Sequence, residues 1–458
     1  MDAIYSFVEN FTNVKYEDLQ PSVVEAVKSE VLDSLANALG GSSKAGVVEL
    51  IDIMKEWGGK EQSTIIAYGI KCPTPNAAQV NATMIHALDY DDGHPKALVH
   101  TGCTTVPTCL AVAERMGGIT GKELITTIAL GVDFMARLSL ASRPGSDLMV
   151  VGWHPTALYG YLGTATMAAR IMGLDQEKML NALGIAYHQC AGNMQCIHDG
   201  ALTKRMGPGL ASRGGITAAL MAEKGITGAK NCLEGRAGLF NLYHGGDYDI
   251  KILKTGLGKR FETENIGFKP YPCCGHGHAA IDATLSLRSR YRIKANQVQA
   301  ITVYGGGAAY ALCVPEDVKR NPKNIVDAQF SIPWAVATAL VNGKVTIEDF
   351  TEKSIKNENI LQISQKVTGQ LDPGLTRHGV GPTRLSIKMK NGAEYTEYVE
   401  FCLGSVERPM TIDDCVKKFR ECYPSSIKPL SADVAEKIIE NILHLEDVKD
   451  ATEIVRML

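Results

Sequence analysis

Two segments of this chain, "GKELITTIALGVDFMARLSLA" (121–141) and "GYLGTATMAARIMGL" (160–174), are apolar on several faces and rich in Ala and Gly. A surface helix needs only one apolar stripe. A helix apolar on several faces must be covered by several neighbours, and small residues let those neighbours come close. The rest of the first half supplies such neighbours. In "PSVVEAVKSEVLDSLANALGG" the apolar residues Val23, Val24, Val27, Val31, Leu35 and Leu39 fall at helical spacing, and Gly40–Gly41 reads as a stop. Residues 1–266 therefore read as helix after helix, with strand signals scarce before Lys269.

The pattern then changes. "QVQAITVYGGG" is β-rich and stops at three glycines. "TRLSIKMKNGAEYTEYVEF" is two alternating runs joined by Asn391–Gly392, a strong hairpin signal. "FSIPWAVATALVNG" between them is helical. The tail is helical again, with Ser431 before the helix and Val434, Ile438 and Ile442 four apart. A chain of 458 residues is too long for one hydrophobic core. The expected fold is mainly α with an α+β lid. A large all-helical domain (1–266) is interrupted by a smaller α+β domain (267–404), and residues 405–458 return to the first.

Composition narrows the function. Hydrophobic residues make up 45% and charged residues 21%, as in a soluble globular protein. A net charge of −3 without a basic block argues against nucleic acid or an anionic membrane as the main partner. No run of about 18 apolar residues reads as a membrane span, and "MDAIYSFVENFTNVKYEDLQP" lacks the basic start of a secretory signal. Twelve cysteines with no CxxC pair suit reduced thiols in a cytoplasmic protein. "GGITGKE" lacks the phosphate-loop spacing, and "YGGGAAY" has Tyr310 where a dinucleotide loop needs its third glycine.

Four segments could carry chemistry. "HALDYDDGHPKALVHTG" packs His86, His94 and His100 with Asp89, Asp91 and Asp92 into seventeen residues. A helix ending near Asp89 would put His86 and Asp89 on one face. The stretch reads as an acid–base site, a metal site, or a capped helix end with solvated acids. In "GWHPTALYG", His154 precedes Pro155, so it stands outside a helix that starts at the proline, where anions bind well. In "LTKRMGPG", Lys204 and Arg205 precede a Gly–Pro–Gly turn and suit either a carboxylate clamp or a solvated face. "GFKPYPCCGHGHAAIDA" offers Lys269, Cys273, Cys274, His276 and His278. The cysteine and histidine pairs lack the usual structural zinc spacing, which leaves a loop presenting lysine, thiol or imidazole to a pocket as the alternative.

These segments, in this order and with "FSIPWAVATALVNGKV", resemble the MmgE/PrpD superfamily over nearly the whole chain. The resemblance implies a helical domain with an α+β lid, a homodimer, and catalysis without metal or organic cofactor. It implies a small polycarboxylate substrate and a reaction like that of 2-methylcitrate dehydratase, cis-aconitate decarboxylase or iminodisuccinate epimerase. By the same resemblance the catalytic residues are Asp89, His100, His154, Lys204 and Lys269. Arg205, Cys274, His276 and His278 are expected to contact substrate. The sequence departs from the family pattern at Gly93, where many members have Thr, and at Cys274, where the decarboxylase branch has His. The lid tyrosine of that branch has no counterpart around "EDVKRNPKN". These departures count against the decarboxylase branch, so a dehydratase-like lyase is the leading expectation. Decarboxylation and epimerisation are alternatives, and a metal-dependent enzyme using Cys273, Cys274, His276 and His278 is the rival of a different class.

The residue types fit the chemistry. Dehydration, decarboxylation and epimerisation all make or quench a carbanion beside a carboxylate. Each needs a group that takes a proton near neutral pH and one that gives it, and histidine does both. Lysines hold the carboxylates and stabilise the developing charge. Asp89 is expected to orient a histidine or act as base.

Overall fold

The computed structural model describes residues 1–143, 148–377 and 379–458. The chain divides into two compact units, one of residues 1–87, 91–268 and 411–458, the other of residues 88–90 and 269–410.

The first unit opens with α1 (Ile4–Asn13), α2 (Pro21–Gly41), α3 (Val47–Trp57), a ribbon of β1 (Ser63–Ile65) and β2 (Ile70–Cys72), and α4 (Thr74–His86). It continues through α5 (Gly102–Met116), α6 (Gly121–Ala141), α7 (Leu148–Val151), α8 (Pro155–Ile171) and α9 (Gln176–Tyr187). Then come α10 (Gln195–His198), α11 (Thr203–Glu223), α12 (Leu239–His244) and α13 (Ile250–Lys254). The β1–β2 ribbon corrects the all-helical expectation. Its strands are three residues each, too short for an alternating pattern to stand out in the sequence.

The Ala/Gly-rich helices are buried because small residues let backbones touch. α11 packs on α8, α4 and α9. A Cβ on Gly215 would lie 2.0 Å from Thr164 Oγ1, and the Thr164 hydroxyl donates to the Ala211 carbonyl at 3.0 Å. The same economy corrects two expected breaks. Gly40 and Gly41 both remain helical, and a Cβ on Gly41 would come 2.2 Å from the Met84 carbonyl oxygen, so Gly41 serves the α2–α4 contact. Gly207–Pro208–Gly209 is likewise no turn but part of α11. Pro208 forgoes one helical N–H, while Gly209 presses on Gln79 of α4.

α6 is long and apolar enough to cross a membrane, which the sequence reading did not register, yet 94% of its apolar window is buried inside the protein. It also carries a buried ion pair. Arg137 Nε lies 2.8 Å from each Asp133 carboxylate oxygen, and the guanidinium donates to the carbonyls of Ile252, Thr255 and Arg260. One side chain thereby fixes the segment after α13 against α6.

The second unit contains α14 (His278–Tyr291), β3 (Val298–Gly305), α15 (Gly307–Ala311), α16 (Glu316–Arg320), α17 (Ile325–Gln329), α18 (Ile332–Asn342) and α19 (Glu358–Ser364). β4 (Val367–Leu371), β5 (Thr383–Met389) and β6 (Glu394–Val399) complete a four-stranded sheet of order β4-β3-β5-β6. β3 and β4 are parallel, so the helices between them form the crossover that parallel pairing requires. β5 and β6 are the hairpin expected at Asn391–Gly392, with Gly392 at φ 87°. α14 packs on β5 and β6, and α18 on α14 and β4, around Trp334, Ile301, Val303, Leu385 and Ile387.

After this sheet, α20 (Ile412–Cys422), α21 (Ala432–Leu443) and α22 (Thr452–Met457) belong to the first unit. α20 packs on α2, where Lys418 Nζ meets Asp33 Oδ1 at 2.6 Å with both side chains buried.

Arg137→Met would leave Asp133 buried without its cation and release three backbone carbonyls. Breaking a buried pair from one side costs about 3–5 kcal/mol. Denaturant unfolding of the variant is expected to register a loss of that size.

Candidate active site

The first unit gathers three histidines. His86 is the last residue of α4, and Asp89 beyond it takes a left-handed turn at φ 51°. This corrects the expectation that His86 and Asp89 share a helix face: the helix ends before Asp89. An aspartate tolerates the left-handed region better than most residues. A tight loop follows, in which the His94 N–H donates to the Val99 carbonyl and the Leu98 N–H to the His94 carbonyl, each at 2.8 Å. Leu98 sits at φ 56°, a strained conformation for a bulky side chain. His94 is committed to this loop: its Nδ1 accepts from the Ala97 N–H at 3.0 Å, and its Nε2 lies 3.3 Å from Glu262. The His94 hydrogen bond is the main reason the Glu262 carboxyl is pulled down to about 2.

Asp92 fixes the end of the loop. Its carboxylate accepts from the Thr101 N–H at 3.1 Å, the Thr101 hydroxyl at 2.8 Å and the Gly102 N–H at 2.9 Å, at the start of α5. Gly102 makes room for this, since a Cβ there would lie 2.7 Å from Asp92 Oδ1. The Asp92 carbonyl in turn lies 2.5 Å from His100 Nδ1. The His100 N–H donates to Thr156 Oγ1 at 2.9 Å, in the first turn of α8. His154 is the residue before that helix, with extended backbone, as the following proline requires. The His86 ring centroid is 5.0 Å from that of His100 and 5.9 Å from that of His154.

Carboxylates lie beneath the rings. His86 Nδ1 is 2.7 Å from Asp91 Oδ2, and His100 Nδ1 is 3.7 Å from the same oxygen. Glu30 and Asp33 of α2 are also fully buried. Burial pushes Asp92 up from the usual carboxylate range, with the charges of Asp91 and Asp33 adding to it. Burial raises Glu30 well above that range, and Asp92 contributes. Burial also raises Asp33, against the pull of Lys418.

Lys204 and Arg205 lie in the first turn of α11, both buried. Lys204 is close enough to Cys103 for its charge to oppose the upward push of burial on that thiol. Arg205 donates to the Ala45 carbonyl at 2.8 Å.

In the second unit Lys269 Nζ donates to the Asp89 carbonyl at 2.9 Å and lies 3.2 Å from its carboxylate. The partner of Asp89 is thus a lysine, and the carboxylate beside His86 and His100 is Asp91. Tyr90 donates to the Pro270 carbonyl at 3.2 Å. The Gln329 side chain donates to the Leu88 carbonyl at 2.7 Å while its backbone carbonyl accepts from the Cys274 N–H at 2.9 Å. Cys274 and His276 are half-buried. His278 is buried, with Nε2 3.1 Å from the Cys273 carbonyl and its ring edge-on to Tyr271.

Among the described residues the one convergent ligand set is His86, Asp91 and Cys103, with ligand atoms within 4.8 Å of one another. His86 Nδ1 and Asp91 Oδ2 of that set are 2.7 Å apart, a hydrogen-bond distance.

The sequence reading missed the parts played by His86, Asp91, Asp92, Glu30 and Asp33. A signal was present: Glu30, Asp33 and Asn37 form one polar stripe on a helix, and from Ser29 to Gly41 every residue of α2 is buried. A polar stripe on a helix buried all round must meet other polar groups.

Comparison with known proteins sets this arrangement in a lineage. The chain is similar to a cis-aconitate decarboxylase of Aspergillus terreus, 27% identical over 97% of this chain and 94% of the relative. It is 26% identical to the human cis-aconitate decarboxylase, over 99% of this chain and 94% of the relative. The 2-methylcitrate dehydratase of Escherichia coli K12 is 23% identical over 76% of this chain and 74% of the relative. These relatives are lyases. The MmgE/PrpD N-terminal domain matches residues 5–251 and the MmgE/PrpD C-terminal domain residues 271–445. With both domains matched in order across nearly its full length, this chain belongs to the MmgE/PrpD family.

Proposed function

We propose that this chain is a lyase acting on a small di- or tricarboxylate by proton transfer between histidine and carbon. The observation that carries this reading is the contact between His100 Nδ1 and the Asp92 carbonyl. A carbonyl has no proton to give, so the N–H belongs to the ring, and in neutral His100 the lone pair sits on Nε2. His100 is then the general base. His154, in the same cluster, is the acid. In the first unit Lys204 holds a carboxylate of the substrate; in the second, Asp89 orients Lys269 through the contact at 3.2 Å. No step in this scheme calls for a metal or organic cofactor.

Dehydration of a 2-methylcitrate-like substrate is the leading reading, because Cys274 stands where the decarboxylase branch has histidine. Decarboxylation of a cis-aconitate-like substrate is the second, favoured by relatives of that name that align over 97% or more of the chain. We also propose a homodimer, supported by the exposed apolar side chains Leu202, Leu210 and Met221 on and beside α11.

Incubation with citrate, 2-methylcitrate, cis-aconitate and iminodisuccinate in D₂O, followed by NMR, separates the readings. Water loss supports the dehydratase and CO₂ loss the decarboxylase. Deuterium at carbon without either marks an epimerase. No change in any of the four would remove the proposal.

His100→Ala and His154→Ala are each expected to lower turnover by roughly 10²–10⁴-fold, the usual worth of a positioned proton-transfer group. KM should move little. A folded variant with near-normal turnover takes that histidine out of the mechanism. Lys204→Ala should raise KM as well as lower the rate, since a charge-assisted bond to a carboxylate acts before the transition state too. Sedimentation at micromolar concentration should give the mass of two chains.

A further inference from the structure

One pair in the histidine cluster has no part in the reaction as proposed. His86 is 1% exposed and Asp91 is fully buried. His86 touches both histidines assigned to proton transfer, through its ring contacts with His100 and His154. It also holds, at 2.7 Å, the carboxylate oxygen that lies 3.7 Å from His100 Nδ1.

The surroundings make that hold matter. Asp91 sits within charge range of Asp92 on the same loop and Asp33 on α2, with Glu30 beyond Asp92. From α5 it faces the Cys103 thiol, and Lys204 of α11 acts on that thiol. Lys418 of α20 is engaged with Asp33. A carboxylate in such a dry, acidic neighbourhood takes up a proton unless a donor faces it. The His86 ring nitrogen lies 2.7 Å from the Asp91 carboxylate, where an N–H would hold it charged and aimed.

We propose that His86 and Asp91 form a positioning pair for His100: His86 donates to Asp91, and the carboxylate so held stabilises the His100 ring as it takes a proton from the substrate carbon. His86 Nδ1–H points to Asp91 Oδ2, and His100 keeps its own Nδ1–H on the Asp92 carbonyl. The proton arriving at His100 Nε2 turns that ring into an imidazolium, and the Asp91 carboxylate, 3.7 Å from its Nδ1, supplies a charge of opposite sign. The His86 ring also sets the spacing of the other two rings. This inference rests on the reading of His100 as the general base.

The test uses three variants of the full chain. His86→Leu fills the space without a donor. His86→Asn keeps an amide N–H near the Nδ1 position. Asp91→Asn removes the charge and serves if the leucine variant does not fold. His86→Leu is expected to lower kcat by about 10–100-fold with KM within about twofold, the size of loss seen when a hydrogen-bonded partner behind a metal-bound histidine is removed. The acid limb of the kcat/KM profile should move to lower pH, because a neutral Asp91 no longer favours protonated His100. His86→Asn should regain most of the rate and the original profile.

The second readout needs no substrate. Histidine ¹⁵N NMR titration should find His100 protonating at lower pH, by about half a unit or more, in His86→Leu and Asp91→Asn than in the parent. An unchanged His100 titration in a folded His86→Leu or Asp91→Asn protein overturns the pairing, as does an asparagine variant no better than the leucine one. If the titration moves while the parent acts on none of the four carboxylates, the pairing stands and the lyase reading falls.

Discussion

The Asp92 residue ties the histidine cluster together. Its carboxylate accepts three hydrogen bonds at the start of α5, and its carbonyl meets His100 Nδ1. One residue therefore sets both the end of the 91–100 loop and the tautomer of the histidine that closes it. The approach is possible because Gly102 has no side chain where the carboxylate lies. A larger residue at Gly102 would push the carboxylate off the helix start and take the loop with it.

The acids around Asp92 are costly in isolation. Glu30, Asp33, Asp91 and Asp92 are all fully buried, and burial disfavours the charged form of each. The structure offsets this with local partners. Lys418 from the C-terminal helices neutralises Asp33, Thr105 donates to Glu30, and α5 supplies N–H groups to Asp92. The last segment of the chain thus contributes to the environment of a loop more than 300 residues earlier, through the Lys418–Asp33 pair. Packing of small residues makes the arrangement dense. Gly41, Gly209 and Gly215 bring α2, α4, α8 and α11 to backbone contact.

Much of this was legible in the residues. The alternation in β5 and β6 with Asn391–Gly392 between them fixed a hairpin, because period-two patterning has few other solutions. Ser431 capped the helix it precedes, accepting the N–H of Val434. Pro155 started α8 and pushed His154 out of it. Glycine was misleading wherever it served packing rather than conformation. Gly40–Gly41 and Gly207–Pro208–Gly209 read as breaks, yet both lie within helices, since the sequence carries no record of a neighbouring backbone.

The sequence by itself determined the element types, the change of character near residue 267, and where histidines, lysines and acids gather along the chain, as between His86 and Asp92. Local pattern suffices there, because hydrophobic period, proline geometry and side-chain chemistry are properties of neighbours in the chain. Only the tertiary structure decided which acid meets which base. Asp89 turned to Lys269, Asp91 to His86 and His100, and Asp92 to the start of α5, although the three lie within four residues of one another. Hydrogen-bond partners are chosen by distance in space, and the left-handed turn at Asp89 sends adjacent carboxylates in different directions.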